Sequence, residues 1–247
     1  MRIDLLCSGS KGNCAVVREG NTQLMIDCGS TKKYLTQAMT KANVQLEDTD
    51  AVLITHTHTD HIKQLKMVRH LPVYSYCDLD DVDVHHVVQP LSEFDIGLFH
   101  IRVIGLSHDA PKTCGYVIES PTDKLVYITD TGYVPNDEKT YLTDAGHYIF
   151  ESNHDIAKLM QTRRPMFVKQ RILSDNGHLN NEDAGHYLTE LINDRTKDIV
   201  LAHLSQEANH PQLALQAVKD QFARRDLPMN SFHLQAAEQF EITTIGE

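Results

Sequence analysis

Between residues 55 and 61 the chain reads Thr-His-Thr-His-Thr-Asp-His, which sets three imidazoles and a carboxylate within six residues. Imidazole nitrogens suit zinc and other first-row metals, and a carboxylate beside them hardens the donor set. The run follows the apolar stretch Ala51-Val52-Leu53-Ile54. In extended backbone, alternate side chains share a face, so His56 and His58 can reach one point together. Asp60 and His61 fall where the chain should turn away, and they can address a second point beside the first. The stretch reads as half of a two-metal site.

Further candidate ligands stand in the same kind of place. His108 follows the apolar run 98–106, Asp130 follows Leu125-Val126-Tyr127-Ile128-Thr129, and His203 follows Ile199-Val200-Leu201-Ala202. Strand ends commonly converge on sites, and four strands each deliver a His or Asp just past an apolar run. The elements that must position them are short. Runs near 3–7, 14–18, 22–27, 51–55, 73–76, 98–106, 113–119, 124–129, 147–151 and 198–202 are rich in Val, Ile and Tyr and broken by Gly, Pro or Asp, which predicts strands. Helical spacing links Tyr34, Leu35, Ala38, Met39 and Ala42, and again Ala184, Tyr187, Leu188, Leu191 and Ile192, with Asn180 placed to cap the second helix. A third helix is expected over 211–224, opening on Pro211. No linker or repeat interrupts residues 1–247, so one strand-rich domain with covering helices is expected.

The order His56-x-His58-x-Asp60-His61, His108, Asp130, His203 resembles the metallo-β-lactamase superfamily. The opening Leu5-Leu6-Cys7-Ser8-Gly9-Ser10-Lys11-Gly12-Asn13 sharpens the match, as do Thr129-Asp130-Thr131-Gly132, Glu151-Ser152-Asn153-His154-Asp155, Gly177-His178-Leu179-Asn180-Asn181-Glu182 and Leu201-Ala202-His203-Leu204-Ser205-Gln206. These segments are similar to the YycJ/WalJ branch, compact metallohydrolases associated with nuclease activity. The resemblance implies an α/β fold, an αββα sandwich of two mixed sheets with helices on the outer faces. It implies that His56, His58 and His108 hold one metal, that Asp60, His61 and His203 hold a second, and that Asp130 bridges them. The two divalent ions would be zinc or manganese, with iron also compatible with this donor set. They would activate a water for attack on phosphorus, with Asp60 or Asp130 orienting it and His178 stabilising the phosphorane or protonating the leaving oxygen. Asp27 would orient a ligand histidine from behind, or else simply form a turn with Gly29. Ser8, Ser10 and Asn13 would lie near the site or make a tight turn, and Asn153 and His154 would contact substrate or shape a turn.

Charge bears on the substrate. The formal net charge of −11 argues against broad adhesion to nucleic acid or anionic membrane. Residues 158–171 are the exception, with Lys158, Arg163, Arg164, Lys169 and Arg171 and no acidic residue. The segment leads into the loop carrying His178 and is expected either to grip phosphates or to be a solvated face. Aromatic residues make up only 6% and Trp is absent, so tight binding by base stacking is not expected. A nucleic acid substrate, DNA before RNA, fits best, giving a phosphodiesterase of the DNA exonuclease kind. Two alternatives are a hydrolase of a small cyclic phosphodiester, thioester or lactone, and a metal-stabilised binding or regulatory protein. No apolar run is long enough for a membrane span and the first residues lack a signal-peptide layout, so a cytoplasmic protein is expected. Five cysteines without metal-like spacing (Cys7, Cys14, Cys28, Cys77, Cys114) are expected as buried, inert thiols.

Overall fold

A computed structural model describes residues 1–229 and 231–246. Two seven-stranded sheets lie face to face. The first holds β1 (Arg2–Cys7), β2 (Cys14–Glu19), β3 (Thr22–Ile26), β4 (Ala51–Ile54), β5 (Pro72–Ser75), β6 (Val84–Val87) and β14 (Thr243–Gly246), in the order β14-β1-β2-β3-β4-β5-β6. The second holds β7 (Glu93–Ile96), β8 (Phe99–Gly105), β9 (Cys114–Glu119), β10 (Lys124–Ile128), β11 (His147–Glu151), β12 (Asp198–Ala202) and β13 (His233–Ala236), in the order β13-β12-β11-β10-β9-β8-β7. Each sheet is antiparallel over one half and parallel over the other. Strands β3 to β6 run parallel in the first, and β10 to β13 in the second. Parallel strands all finish at the same edge of a sheet, and open α/β sheets place their sites there.

Alternation along the strands builds three apolar layers. Side chains such as Leu5, Val17, Leu24, Ile26 and Leu53 meet Ile101, Tyr116, Tyr127, Ile149 and Val200 between the sheets. On β11 the neighbours of Ile149, Tyr148 and Phe150, point the other way, as a period of two requires. They meet α7 (Asn181–Leu191) and α8 (Pro211–Arg224) through Ala184, Leu188, Ala214, Val218 and Phe222. The spacing of Ala214, Val218 and Phe222 is one stripe of a helix. On the outer face of the first sheet, Met25, Val52 and Ile54 receive Leu35, Ala38 and Met39 of α1 (Lys32–Lys41). The order helix, sheet, sheet, helix is the one the resemblance implied.

Five short helices lie in the connections: α2 (Thr59–Ile62), α3 (Leu65–Val68), α4 (Lys139–Leu142), α5 (Ile156–Gln161) and α6 (Met166–Ile172). The expected helix at 211–224 is α8, and the expected strands match β1 to β5 and β8 to β12 to within two residues at either end. The strands that the apolar runs do not announce are β6, β7, β13 and β14, and all four are sheet edges. An edge strand with half-exposed side chains has no need of an apolar run. All five cysteines are buried, and burial raises the thiols above their ordinary range. Among the described residues no helix is long and apolar enough to cross a membrane.

Candidate metal centre

The strand ends of both sheets meet at one edge. Asp27 follows β3, His56 follows β4 by one residue, Asp130 follows β10, Glu151 ends β11 and His203 follows β12. Asp27, Asp130 and His203 each take left-handed backbone, with φ of 58°, 60° and 55°. Such residues turn the chain sharply off the strand at a cost of about 1–3 kcal/mol each, persist where the surroundings fix them, and cluster at functional sites. The 55–61 loop is clamped from behind. Asn13 N–H donates to Asp60 O at 2.8 Å, and Cys28 N–H donates to His61 O at 2.7 Å. Gly29 lies so close that a Cβ there would stand 1.6 Å from Asp60 O, so no other residue fits.

The imidazoles form two groups around one carboxylate. Nitrogens of His56, His58 and His108 lie within 4.8 Å of one another, and so do ligand atoms of Asp60, His61 and His203. His58 Nδ1 faces His108 Nε2 at 3.3 Å. Asp130 stands between the groups, its Oδ2 3.2 Å from His61 Nε2 and its Oδ1 3.8 Å from His108 Nε2. His56 belongs to both, since it also groups with His61 and Asp130. Five of these side chains are nearly or wholly buried: His56, His61, His108, Asp130 and His203. Three polar atoms in the cluster, His56 Nε2, Asp130 Oδ2 and His203 Nε2, are buried with no hydrogen-bond partner. Buried polar atoms are normally satisfied, so orphans converging on one another fit a cation held between them. The donor set of nitrogens and carboxylates is one that divalent first-row metals accept.

Three of the cluster's rings, those of His61, His108 and His203, are aimed by a partner on the other side, as is usual for metal-ligating histidines. His61 Nδ1 lies 2.7 Å from Asp27 Oδ2, and Asp27 also accepts from Thr55 N–H and Oγ1–H. His108 Nδ1–H donates to Gly177 O at 3.0 Å. Glu151, quoted above only as part of a motif, turns out to hold two rings. Its Oε1 accepts from His178 Nδ1 at 2.8 Å and from His203 Nδ1 at 2.9 Å, while its Oε2 accepts from Thr131 N–H and Leu179 N–H. Its signal was available, because it is an acid closing an apolar run just as Asp130 follows one.

Charge inside the cluster is balanced residue against residue. Burial alone would raise Asp130, but His203 and His61 hold it well below the usual carboxylate range. Burial would lower His61, yet Asp130 and Asp27 outweigh it and push its pKa up to about 10. His203 is likewise raised, by Asp130, Asp60 and Glu151 against its burial. His56 goes the other way: burial, reinforced by the charge of His61, keeps it neutral.

The remaining expected residues divide. Ser10, Asn153 and Arg164 line the cavity of about 200 Å³ over the cluster, together with Arg171 and His178. Ser8 is buried and accepts from His203 N–H at 2.7 Å. Asn13 is buried too, its Nδ2 2.9 Å from His61 Nε2 and 3.3 Å from Asp60 Oδ2. His154 is fully buried with both ring nitrogens unpartnered, so it does not reach the cavity as a substrate contact would. Of the basic segment, Arg164 and Arg171 reach the cavity wall, each ion-paired, with Glu207 and Asp109, while Lys169 is buried with its ammonium on Met160 O. Arg163 is exposed and does not line the cavity.

The β-lactamase superfamily domain model matches residues 22–204, which takes in the whole cluster. The chain belongs to this superfamily and is a metal-dependent hydrolase. It is 35% identical over 232 residues to exodeoxyribonuclease YycJ of Bacillus anthracis, covering 88% of each chain. It is 33% identical over 241 residues to exodeoxyribonuclease WalJ of Streptococcus pneumoniae, covering 92% of this chain and 90% of the other. Among solved structures, the metallo-β-lactamase fold protein YhfI of Bacillus subtilis superposes with a TM-score of 0.74 at 20% identity, covering 99% and 98% of the two chains.

Two outcomes follow from this geometry. Glu151→Gln removes the charge that turns two rings, and is expected to weaken metal binding about 10–100-fold in competition with a chromophoric chelator. Unchanged affinity would show that the rings hold their aim without it. The second concerns pH. With its pKa raised from 6.5 to about 10, His61 stabilises the metal-free fold fully below pH 6.5, and that contribution is lost as pH climbs through about 10. The urea midpoint of metal-free protein should therefore fall across this window relative to metal-loaded protein, in which the proton is displaced. Parallel midpoints for the two forms across the window would contradict the assignment.

Proposed function

We propose that the chain is a dinuclear metal-dependent phosphodiesterase that degrades DNA as an exonuclease. The observation that carries the reading is the buried Asp130 carboxylate with imidazole groups on both sides and His178 at the rim of the cavity above. His56, His58 and His108 would hold one ion and Asp60, His61 and His203 the other, with Asp130 available to both. Zinc and manganese both suit the donors, and iron is compatible. The names carried by the YycJ and WalJ relatives support DNA as substrate. When bound, the ions lower the pKa of a water toward neutrality and offset charge at the attacked phosphorus.

The chain's own groups do the rest. Asp60, held by the Asn13 amide, is placed to orient the attacking water. The water sheds one proton to solvent and its oxygen bonds to phosphorus as the bond to the sugar oxygen breaks, and that sugar oxygen needs a proton. His178 gives its Nδ1–H to Glu151 and so turns Nε2 to the cavity. From there Nε2 is placed to pass a proton to that oxygen. Ser10 and Asn153 at the cavity wall offer polar groups to nonbridging oxygens.

The test is cleavage of end-labelled DNA, end-labelled RNA and bis(p-nitrophenyl) phosphate by zinc- or manganese-loaded protein. DNA is expected to be shortened from an end in a metal-dependent way. His178→Ala should retain both metals while kcat falls about 10²–10⁴-fold. Turnover of a thioester or lactone with no cleavage of any phosphodiester would overturn the proposal.

A further inference from the structure

The cavity over the cluster holds about 200 Å³, room for a phosphodiester group and little more. The rest of a nucleic acid strand must lie on neighbouring surface. On the α5–α6 side, Arg164 and Arg171 are already matched by Glu207 and Asp109. On the other side a groove of about 530 Å³ opens from the cavity and shares Ser10 and Asp60 with it. Lys11, Lys63, Tyr34 and Phe240 complete its working surface. Both lysines are exposed, and among the described residues neither has a carboxylate partner.

The groove is built rather than incidental. Phe240 is 43% exposed, a large apolar ring left in water. Its ring centre lies 5.1 Å from that of Tyr34, and Tyr34 Oη–H donates to Leu6 O at 2.6 Å. Gln239, next in chain, accepts from Lys11 N–H at 2.9 Å and donates to Gly12 O at 3.0 Å. The ring, the lysine loop and the wall of the cavity are therefore tied into one unit. A fixed aromatic face beside unmatched cations, in line with a phosphodiester site, is the pattern by which single strands are held: bases stack on the ring and phosphates meet the charges. A paired duplex has no base face to offer along its side.

We infer that this groove binds the single DNA strand adjoining the scissile phosphate, with the neighbouring base against Phe240 and flanking phosphates against Lys11 and Lys63. The inference rests on the nuclease reading and adds a preference to it, for single strands and frayed ends over blunt duplex. The scarcity of aromatic residues limits this to about one stacked base, so the affinity gained from Phe240 is modest.

Fluorescence anisotropy of zinc-loaded protein tests it, using a labelled strand of about ten phosphorothioate-linked thymidines, which resists cleavage, and a blunt duplex of equal length. Phe240→Ala is expected to weaken strand binding about tenfold without changing its salt dependence, and Phe240→Trp to restore it. Lys11→Ala with Lys63→Ala should weaken binding and reduce the slope of log affinity on log salt by roughly one to two. Lys219→Ala, exposed on α8, should bind as wild type. Wild-type affinity and salt slope in both groove variants, or tighter binding of duplex than of strand, overturns the inference. If such protein still shortens DNA, the groove assignment falls and the nuclease reading stands. If loaded wild type cleaves no phosphodiester, both fall.

Discussion

Asp130 places a full negative charge almost wholly out of solvent, on left-handed backbone at the end of a central strand. An isolated ionised carboxylate in such a place is too costly to persist, and the usual escape is protonation. Here the escape is closed, because His61 and His203 hold the carboxylate ionised. The surrounding architecture can be read as what this one charge demands. Both sheets send strand ends toward it, and the helices on the outer faces bury the opposite sides of those strands.

Behind the rings stands a second layer of acids with a different task. Asp27 and Glu151 do not meet the cavity; they fix which nitrogen of each ring does. A histidine whose Nδ1–H is given to a carboxylate must offer Nε2 to the site, and this removes the tautomer ambiguity an isolated ring would have. Glu151 performs the task for His203 inside the cluster and for His178 at its rim. A single buried carboxylate thus couples the aim of a ring inside the cluster to that of the ring at the cavity rim.

Much of this was legible in the sequence because chemistry and position coincide there. The 55–61 run is dense enough to read without any partner, and His108, Asp130 and His203 announce themselves by following apolar runs. Glu151 went unassigned because its role depends on two residues 27 and 52 positions away. The four edge strands were missed because edges carry mixed, half-exposed side chains. The ion pairs of the basic segment were hidden for the same reason as Glu151. Residues 158–171 contain no acid, but the acids that neutralise Arg164 and Arg171 lie 43 and 62 positions off, brought in by the fold. The groove under Phe240 joins residue 11 to residues 239 and 240 and has no trace in local pattern.

The account stands on Asp130 being shared by two ions. Crystals of the protein loaded with manganese or zinc, measured across the metal's absorption edge, locate the ions directly by anomalous scattering. Two peaks roughly 3.5–4 Å apart, with an Asp130 oxygen reaching each, are the predicted result. A single peak, or a pair to which Asp130 contributes to one ion only, would contradict it.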